Sequence, residues 1–279
     1  MTDADLTARF AELACATLAE DLGEAGDITS AAVIPAGTRL SAVMTAREPL
    51  VVAGSAAAVA AFRALDPAAA IVVERGDGAR AAAGDVLLRV TGDARALLAA
   101  ERTALNIVQH LSGVATLTRA YVDAVAGTGA IVLDTRKTLP GLRWAEKYAV
   151  RMGGGTNHRM GLFDAVLIKD NHVAAAGGVG EAVARAKAAG WAVEVEVDRV
   201  DQIDAALAAG ADRLLLDNMD VATLRAAVAL VAGRVSTEAS GGVRLETVRA
   251  IADTGVTYVS VGRLTQSAPA VDIGLDWTG

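Results

Sequence analysis

Residues 131–172 read IVLDTRKTLPGLRWAEKYAVRMGGGTNHRMGLFDAVLIKDNH. Two short apolar runs, at 131–134 and 165–169, each end in charged residues, and a triple-glycine turn at 153–155 lies between them. From Arg136 to His172 there are seven Lys or Arg (Arg136, Lys137, Arg143, Lys147, Arg151, Arg159 and Lys169) against three acids, in a chain of net charge −7. The stretch also contains His158 and His172, two of the three histidines. Cations that follow strand-like runs in an acidic chain predict a binding site for a small anion. A solvated basic face is the alternative, and it has no reason to track strand ends.

Working outward, the same grammar repeats toward the C-terminus. Apolar runs stand at 193–197, 213–217, 235–240 and 258–262, with Ala-rich amphipathic helices expected at 180–189, 200–208, 220–231 and 244–253. Repeated βα units imply parallel strands, either in an open doubly wound sheet or in a closed barrel. Nearly every run ends in a polar residue or a glycine: Asp134, Lys169, Glu196, Asp217, Glu238 with Ser240-Gly241-Gly242, and Gly262. A barrel brings all those ends to one mouth, whereas an open sheet holds the outer ones apart. The pattern therefore favours a small barrel of six visible strands.

The N-terminal part reads differently. Leu6, Phe10, Leu13, Ala14 and Leu18 recur at helical spacing over residues 3–21, with Cys15 expected in the core rather than as a nucleophile. Strand-like runs at 39–52, 71–74 and 86–91, with a short helix at 54–64, predict a small α+β sheet domain. Asp27 is placed to cap a short segment, and Asp93 to cap a long helix with an apolar stripe from Leu97 to Ala115. Arg102, Asn106, Gln109 and His110 lie beside that stripe, as ordinary surface residues would. The domain boundary is expected within or just after the long helix: residues 1–112, joined by the tail 268–279, and residues 113–267.

Composition excludes several classes. Aromatic residues make up 3% of the chain, which with the acidic charge argues against a general nucleic-acid binder. No run is long enough for a transmembrane helix, and the N-terminus does not read as a signal peptide. A single cysteine fits a reducing cytoplasm.

The strand ends permit specific chemistry. Ser240-Gly241-Gly242 and Gly262, each followed by a helix, suit a phosphate, although two ordinary βα turns would read alike. Glu196 and Asp217 end adjacent strands between apolar residues. They need a partner, either Mg²⁺ beside phosphates or a lysine such as Lys137 or Lys169. Arg136, His158, Arg159 and Lys169 suit a substrate with several carboxylates, or a carboxylate plus phosphates. Lys169 alone would also permit Schiff-base chemistry of the aldolase kind.

With these residues in view, the chain resembles the quinolinate phosphoribosyltransferases. The similarity is carried by EDLGEAGDITS at 20–30, ERTALNIVQHLSGVAT at 101–116, residues 134–172, EVEVD at 194–198, LLLDNM at 214–219, EASGG at 238–242 and SVGRLTQSAPAVDIGLD at 260–276. The resemblance implies an α/β sandwich domain followed by an atypical six- or seven-stranded α/β barrel, the type II phosphoribosyltransferase architecture. It implies transfer of a phosphoribosyl group from phosphoribosyl pyrophosphate to quinolinate with decarboxylation, Mg²⁺ as the only cofactor, and no organic cofactor. It also implies a homodimer or higher even oligomer with shared active sites and no nucleic-acid or membrane partner. By the same match, Arg102 reaches a neighbouring subunit's site, and Arg136, His158, Arg159 and Lys169 receive quinolinate. Lys137 lies near the phosphoribosyl donor, Glu196 and Asp217 near its ribose and metal, and Ser240, Gly241, Gly242 and Gly262 at its 5′-phosphate. Lys137, Lys169, Glu196 and Asp217 are thereby the expected catalytic set. Leu139, Thr237 and Arg263 depart from the family pattern, and Arg263 adjoins the phosphate turn.

Overall fold

The computed structural model describes residues 3–278, which divide into two compact units. The first comprises the chain up to Leu117, Arg151–Gly153, and the chain from Ala268 onward. Its elements, numbered in chain order, are α1 (Asp3–Leu22), α2 (Ile28–Val33), β1 (Arg39–Ala46), β2 (Leu50–Val51), α3 (Ser55–Leu65), β3 (Ala70–Val73), β4 (Arg80–Ala81), β5 (Val86–Asp93), α4 (Ala94–Ala124) and the final strand β12 (Ile273–Thr278). Four strands form an antiparallel sheet in the order β12-β1-β5-β3, and β2 pairs with β4 separately.

The capping aspartates act as their spacing suggests. Asp27 accepts the Ser30 N–H at 2.9 Å and starts α2, and Asp93 accepts the Ala96 N–H at 3.0 Å and starts α4. The core joins Ala14 and Leu18 of α1, Phe62 of α3, Leu97 and Leu105 of α4 and Met44 of β1. Fully burying a side chain such as Phe62 contributes about 1.5–3 kcal/mol. Cys15 is a correction: it is exposed, one position off the buried stripe of Phe10, Ala14 and Leu18. The tail is less polar in effect than it reads, because Ile273 and Leu275 are buried and β12 pairs along β1.

The second unit comprises Thr118–Val150 and Gly154–Ser267. Its elements are β6 (Ile131–Leu133), α5 (Arg143–Met152), β7 (Val166–Ile168), α6 (Asp170–Ala176), α7 (Val179–Ala188), β8 (Val193–Val197), α8 (Ile203–Ala208), β9 (Arg213–Asp217), α9 (Val221–Val231), β10 (Ser236–Ser240), α10 (Leu245–Ala252), β11 (Tyr258–Ser260) and α11 (Arg263–Gln266). The six strands are parallel in the order β6-β11-β10-β9-β8-β7. Beyond β6, Thr156 adds a single parallel bridge to Leu133, with its N–H donating to the Val132 carbonyl at 2.9 Å.

Strand alternation explains what faces the interior. In β8, Val193, Val195 and Val197 lie on one face and Glu194 and Glu196 on the other. In β9 and β10 the apolar or small residues Leu214, Leu216, Thr237 and Ala239 are buried on the outer face. The inner face carries Asp217, Glu238 and Ser240, which line a common cavity with Glu196. The acidic face of VEVEV is thus the inside of a curled sheet, not a solvated edge.

Candidate active site

The C-terminal ends of all six parallel strands line one cavity of about 770 Å³. Residues that share one cavity from both edge strands, β6 and β7, require the sheet to curl into a barrel. Arg136 and Lys137 follow β6, Lys169 follows β7, Glu196 and Asp217 end β8 and β9, and Ser240, Gly241 and Gly242 end β10. Gly262 follows β11, and His158 and Arg159 come from the segment after the triple-glycine turn.

Arg136 and Arg159 crowd one another on the cationic side. Burial, and then the Arg136 charge, pull the Arg159 guanidinium below its ordinary range, a repulsion that a bound anion would relieve. Lys169 donates to Glu196 with Nζ 2.6 Å from Oε2. Asp217 is held above the usual carboxylate range by burial and by the Glu196 charge beside it, and it accepts the Asn218 amide at 2.5 Å. Two adjacent carboxylates with oxygen donors only are suited to a hard divalent cation.

Below these groups lies a buried cluster. His158 Nε2 is 3.1 Å from Glu194 Oε2 and 3.4 Å from Glu238 Oε2. Arg213 approaches the same two carboxylates at 3.9 and 3.8 Å and covers the Tyr258 ring. Burial disfavours the imidazolium, but the close carboxylates of Glu194 and Glu238 outweigh it and push His158 up to about 9. The Arg159 N–H points at Nδ1 from 2.7 Å, which keeps one proton on Nε2 and opposes a second on Nδ1. The direction of the shift follows the two carboxylates; the amide contact limits its size. His158, Glu194 and Glu238 also have the spacing of a metal-ligand trio. The Arg213 guanidinium already supplies positive charge there.

Backbone groups shape another part of the cavity wall. Gly241 has φ +93°, and a β-carbon there would lie 2.2 Å from Asn218 Oδ1. Glycine is therefore required for the turn and for the close approach. A β-carbon at Gly262 would press on the Lys137 side chain at 3.0 Å. The helix after Gly262 is one turn long, so the anion-binding capacity of this wall rests on the glycine turns more than on a helix dipole.

Residues 27–112 match the family described as quinolinate phosphoribosyl transferase, N-terminal domain, and residues 114–276 match its C-terminal domain. The chain belongs to the quinolinate phosphoribosyltransferase family. It is 51% identical over 269 residues to nicotinate-nucleotide pyrophosphorylase (carboxylating) of Mycobacterium leprae, covering 93% of this chain and 94% of the relative. It is 43% identical over 279 residues to quinolinate phosphoribosyltransferase (decarboxylating) 2, mitochondrial, of Nicotiana glauca, covering 92% and 79%. The solved nicotinate-nucleotide pyrophosphorylase from Francisella tularensis superposes with a TM-score of 0.93 at 39% identity, covering 98% of this chain and 97% of that one.

The cavity brings together every expected site residue except Arg102. Arg102 lines a separate cavity of about 330 Å³ in the first unit, beside Glu20 and Asp21. Other residues emphasised in the sequence have structural duties. His172 Nδ1 accepts the Lys169 N–H at 2.9 Å and caps α6, and Gln109 donates to the Ile273 carbonyl at 2.9 Å. Sequence reading placed Glu238 at a strand end but missed its cluster with Glu194 and Arg213. The signal for Glu194 was present in the alternation of VEVEV, which puts it on the same face as Glu196.

Proposed function

We infer that this chain transfers the phosphoribosyl group of phosphoribosyl pyrophosphate to quinolinate and releases pyrophosphate and CO₂, giving nicotinic acid mononucleotide. One observation carries the reading: a single cavity is lined both by Arg136, Arg159 and Lys169 and by the glycine turns at 240–242 and 262. A dicarboxylate and a phosphorylated donor meet there with complementary charge. On this reading Arg136, His158, Arg159 and Lys169 receive quinolinate, Lys137 lies at the donor, and Ser240, Gly241, Gly242 and Gly262 hold the 5′-phosphate.

The quinolinate nitrogen attacks the anomeric carbon as the bond to pyrophosphate breaks. Carboxylates such as Glu196 and Asp217 stabilise the cationic ribose that develops, and Lys137 stabilises the departing charge. When the 2-carboxylate departs as CO₂, the electron pair of the broken bond stays on ring carbon 2, stabilised by the adjacent pyridinium charge, and takes up a proton there. That internal positive charge makes an organic cofactor unnecessary. Glu196 and Asp217 are the oxygen donors suited to Mg²⁺, which would neutralise charge on the pyrophosphate group when bound. The protein's task is positioning and electrostatics, with no covalent nucleophile.

The active assembly is a homodimer or higher even oligomer in which Arg102 from a second copy completes the dicarboxylate subsite. Among the described residues no helix is long and apolar enough to cross a membrane, and the single cysteine supports a cytoplasmic setting. Incubation with quinolinate, phosphoribosyl pyrophosphate and Mg²⁺ should produce nicotinic acid mononucleotide. Absence of that product from folded protein would overturn the reading.

A further inference from the structure

Three of the seven basic residues in the 136–172 stretch, Arg143, Lys147 and Arg151, do not line the cavity. Arg143 and Lys147 stand four residues apart on α5, hence on one helix face. Arg143 donates to Thr138 Oγ1 at 3.0 Å and to the Arg136 carbonyl at 3.4 Å, and also to the Met160 carbonyl at 3.2 Å. It therefore grips the turn after β6 with one part of the guanidinium and the segment after Arg159 with another. Lys147 does the same in the interior. Its ammonium pairs with Asp134, the residue that ends the β6 run, and donates to the His158 carbonyl at 3.0 Å. Asp134 in turn accepts the His158 N–H at 2.8 Å and the Asn157 amide at 2.6 Å. Asp134 and Lys147 are both 0% exposed, so neither charge is available to a ligand in the cavity.

We propose that Arg143 and Lys147 are positioning residues of the dicarboxylate subsite: from one face of α5 they set the separation between the Arg136 turn and the His158–Arg159 segment. This rests on the dicarboxylate reading of the cavity. On the donor side, Lys137 lies between two residues that Arg143 holds, but it has anchors of its own. The Lys137 carbonyl accepts Thr265 Oγ1 at 2.7 Å, and the Lys137 N–H donates to Thr135 Oγ1 at 3.0 Å. Loss of the brace should therefore disturb recognition of quinolinate more than that of phosphoribosyl pyrophosphate.

The test uses the full chain in two forms, Arg143→Ala and the charge-neutral pair Asp134→Asn with Lys147→Met. Each is measured for both KM values and for amide hydrogen exchange over residues 156–160. Both should raise quinolinate KM by about tenfold or more, and by a clearly larger factor than phosphoribosyl pyrophosphate KM, because small misplacements of positioned groups are costly. Exchange over 156–160 should quicken. If the double variant fails to fold, Arg143→Ala carries the test, since Arg143 is only partly buried. Native quinolinate KM and native exchange in a folded variant would overturn the proposal and credit the Thr156 backbone pairing instead. If the unaltered enzyme does not use quinolinate, the functional reading fails, and the exchange rates still decide whether α5 braces the segment.

Discussion

Lys169 and Glu196 meet inside the cavity, Nζ to Oε2 at 2.6 Å, so a cation expected to receive substrate is already partnered in the free chain. The Lys169 side chain is 47% exposed and Glu196 10%. On the proposed reading, replacing Lys169 by Ala removes a ligand for quinolinate; it also leaves Glu196 beside Asp217 without its counter-charge. Steady-state kinetics should show kcat/KM for quinolinate lower by about 100-fold, or roughly 2.7 kcal/mol of transition-state stabilisation. The melting temperature should change little, because a half-exposed ion pair contributes little to folding.

Gly241→Ala tests the glycine wall. The substitution forces a β-carbon into a left-handed turn and against Asn218. Stability should fall by about 1–3 kcal/mol, and phosphoribosyl pyrophosphate KM should rise while quinolinate KM stays near its native value. Denaturant unfolding and the two KM values check both halves.

His158 should titrate well above its ordinary value of 6.5, toward 9. A pKa raised on folding means that its proton stabilises the fold fully below about pH 6.5. That contribution fades as pH rises and is gone above about 9. Histidine-labelled NMR can resolve it, since the chain has only three histidines. Glu238→Gln removes one carboxylate and should lower the midpoint; an unchanged midpoint would show that Glu238 does not hold the proton.

Subunit complementation checks the role of Arg102. Arg102→Ala and Lys169→Ala proteins should each be nearly inactive. Mixed dimers should recover activity, up to one working site each, because one subunit retains an intact cavity and the other an intact Arg102. Proven mixing without recovery would confine Arg102 to its own chain.

Much of this was legible before the fold was known, for physical reasons. Strand ends carry their signal locally: IVLD, AVLIK and RLLLD are short apolar runs that stop at a charge, and β6, β7 and β9 lie within them. The part played by Lys147 was not legible. The family resemblance singles out Lys137, but charge and composition alone do not separate Lys137, which lines the cavity, from Lys147, which is 0% exposed against Asp134. That difference depends on the direction α5 faces, and the sequence stretch between the two apolar runs reads as a loop rather than as a helix. Cys15 failed for a smaller reason: it sits next to the buried stripe, and one residue rotates a helical side chain by about 100°.

The most direct test of the central claim follows the fate of one carbon. Quinolinate labelled with ¹³C in its 2-carboxylate is incubated with phosphoribosyl pyrophosphate, Mg²⁺ and the enzyme, and labelled CO₂, pyrophosphate and nicotinic acid mononucleotide are quantified together. The account predicts equal amounts of all three, with unlabelled mononucleotide and no comparable turnover of nicotinate. Mononucleotide that retains the label, equal use of nicotinate, or no product from folded enzyme would contradict it.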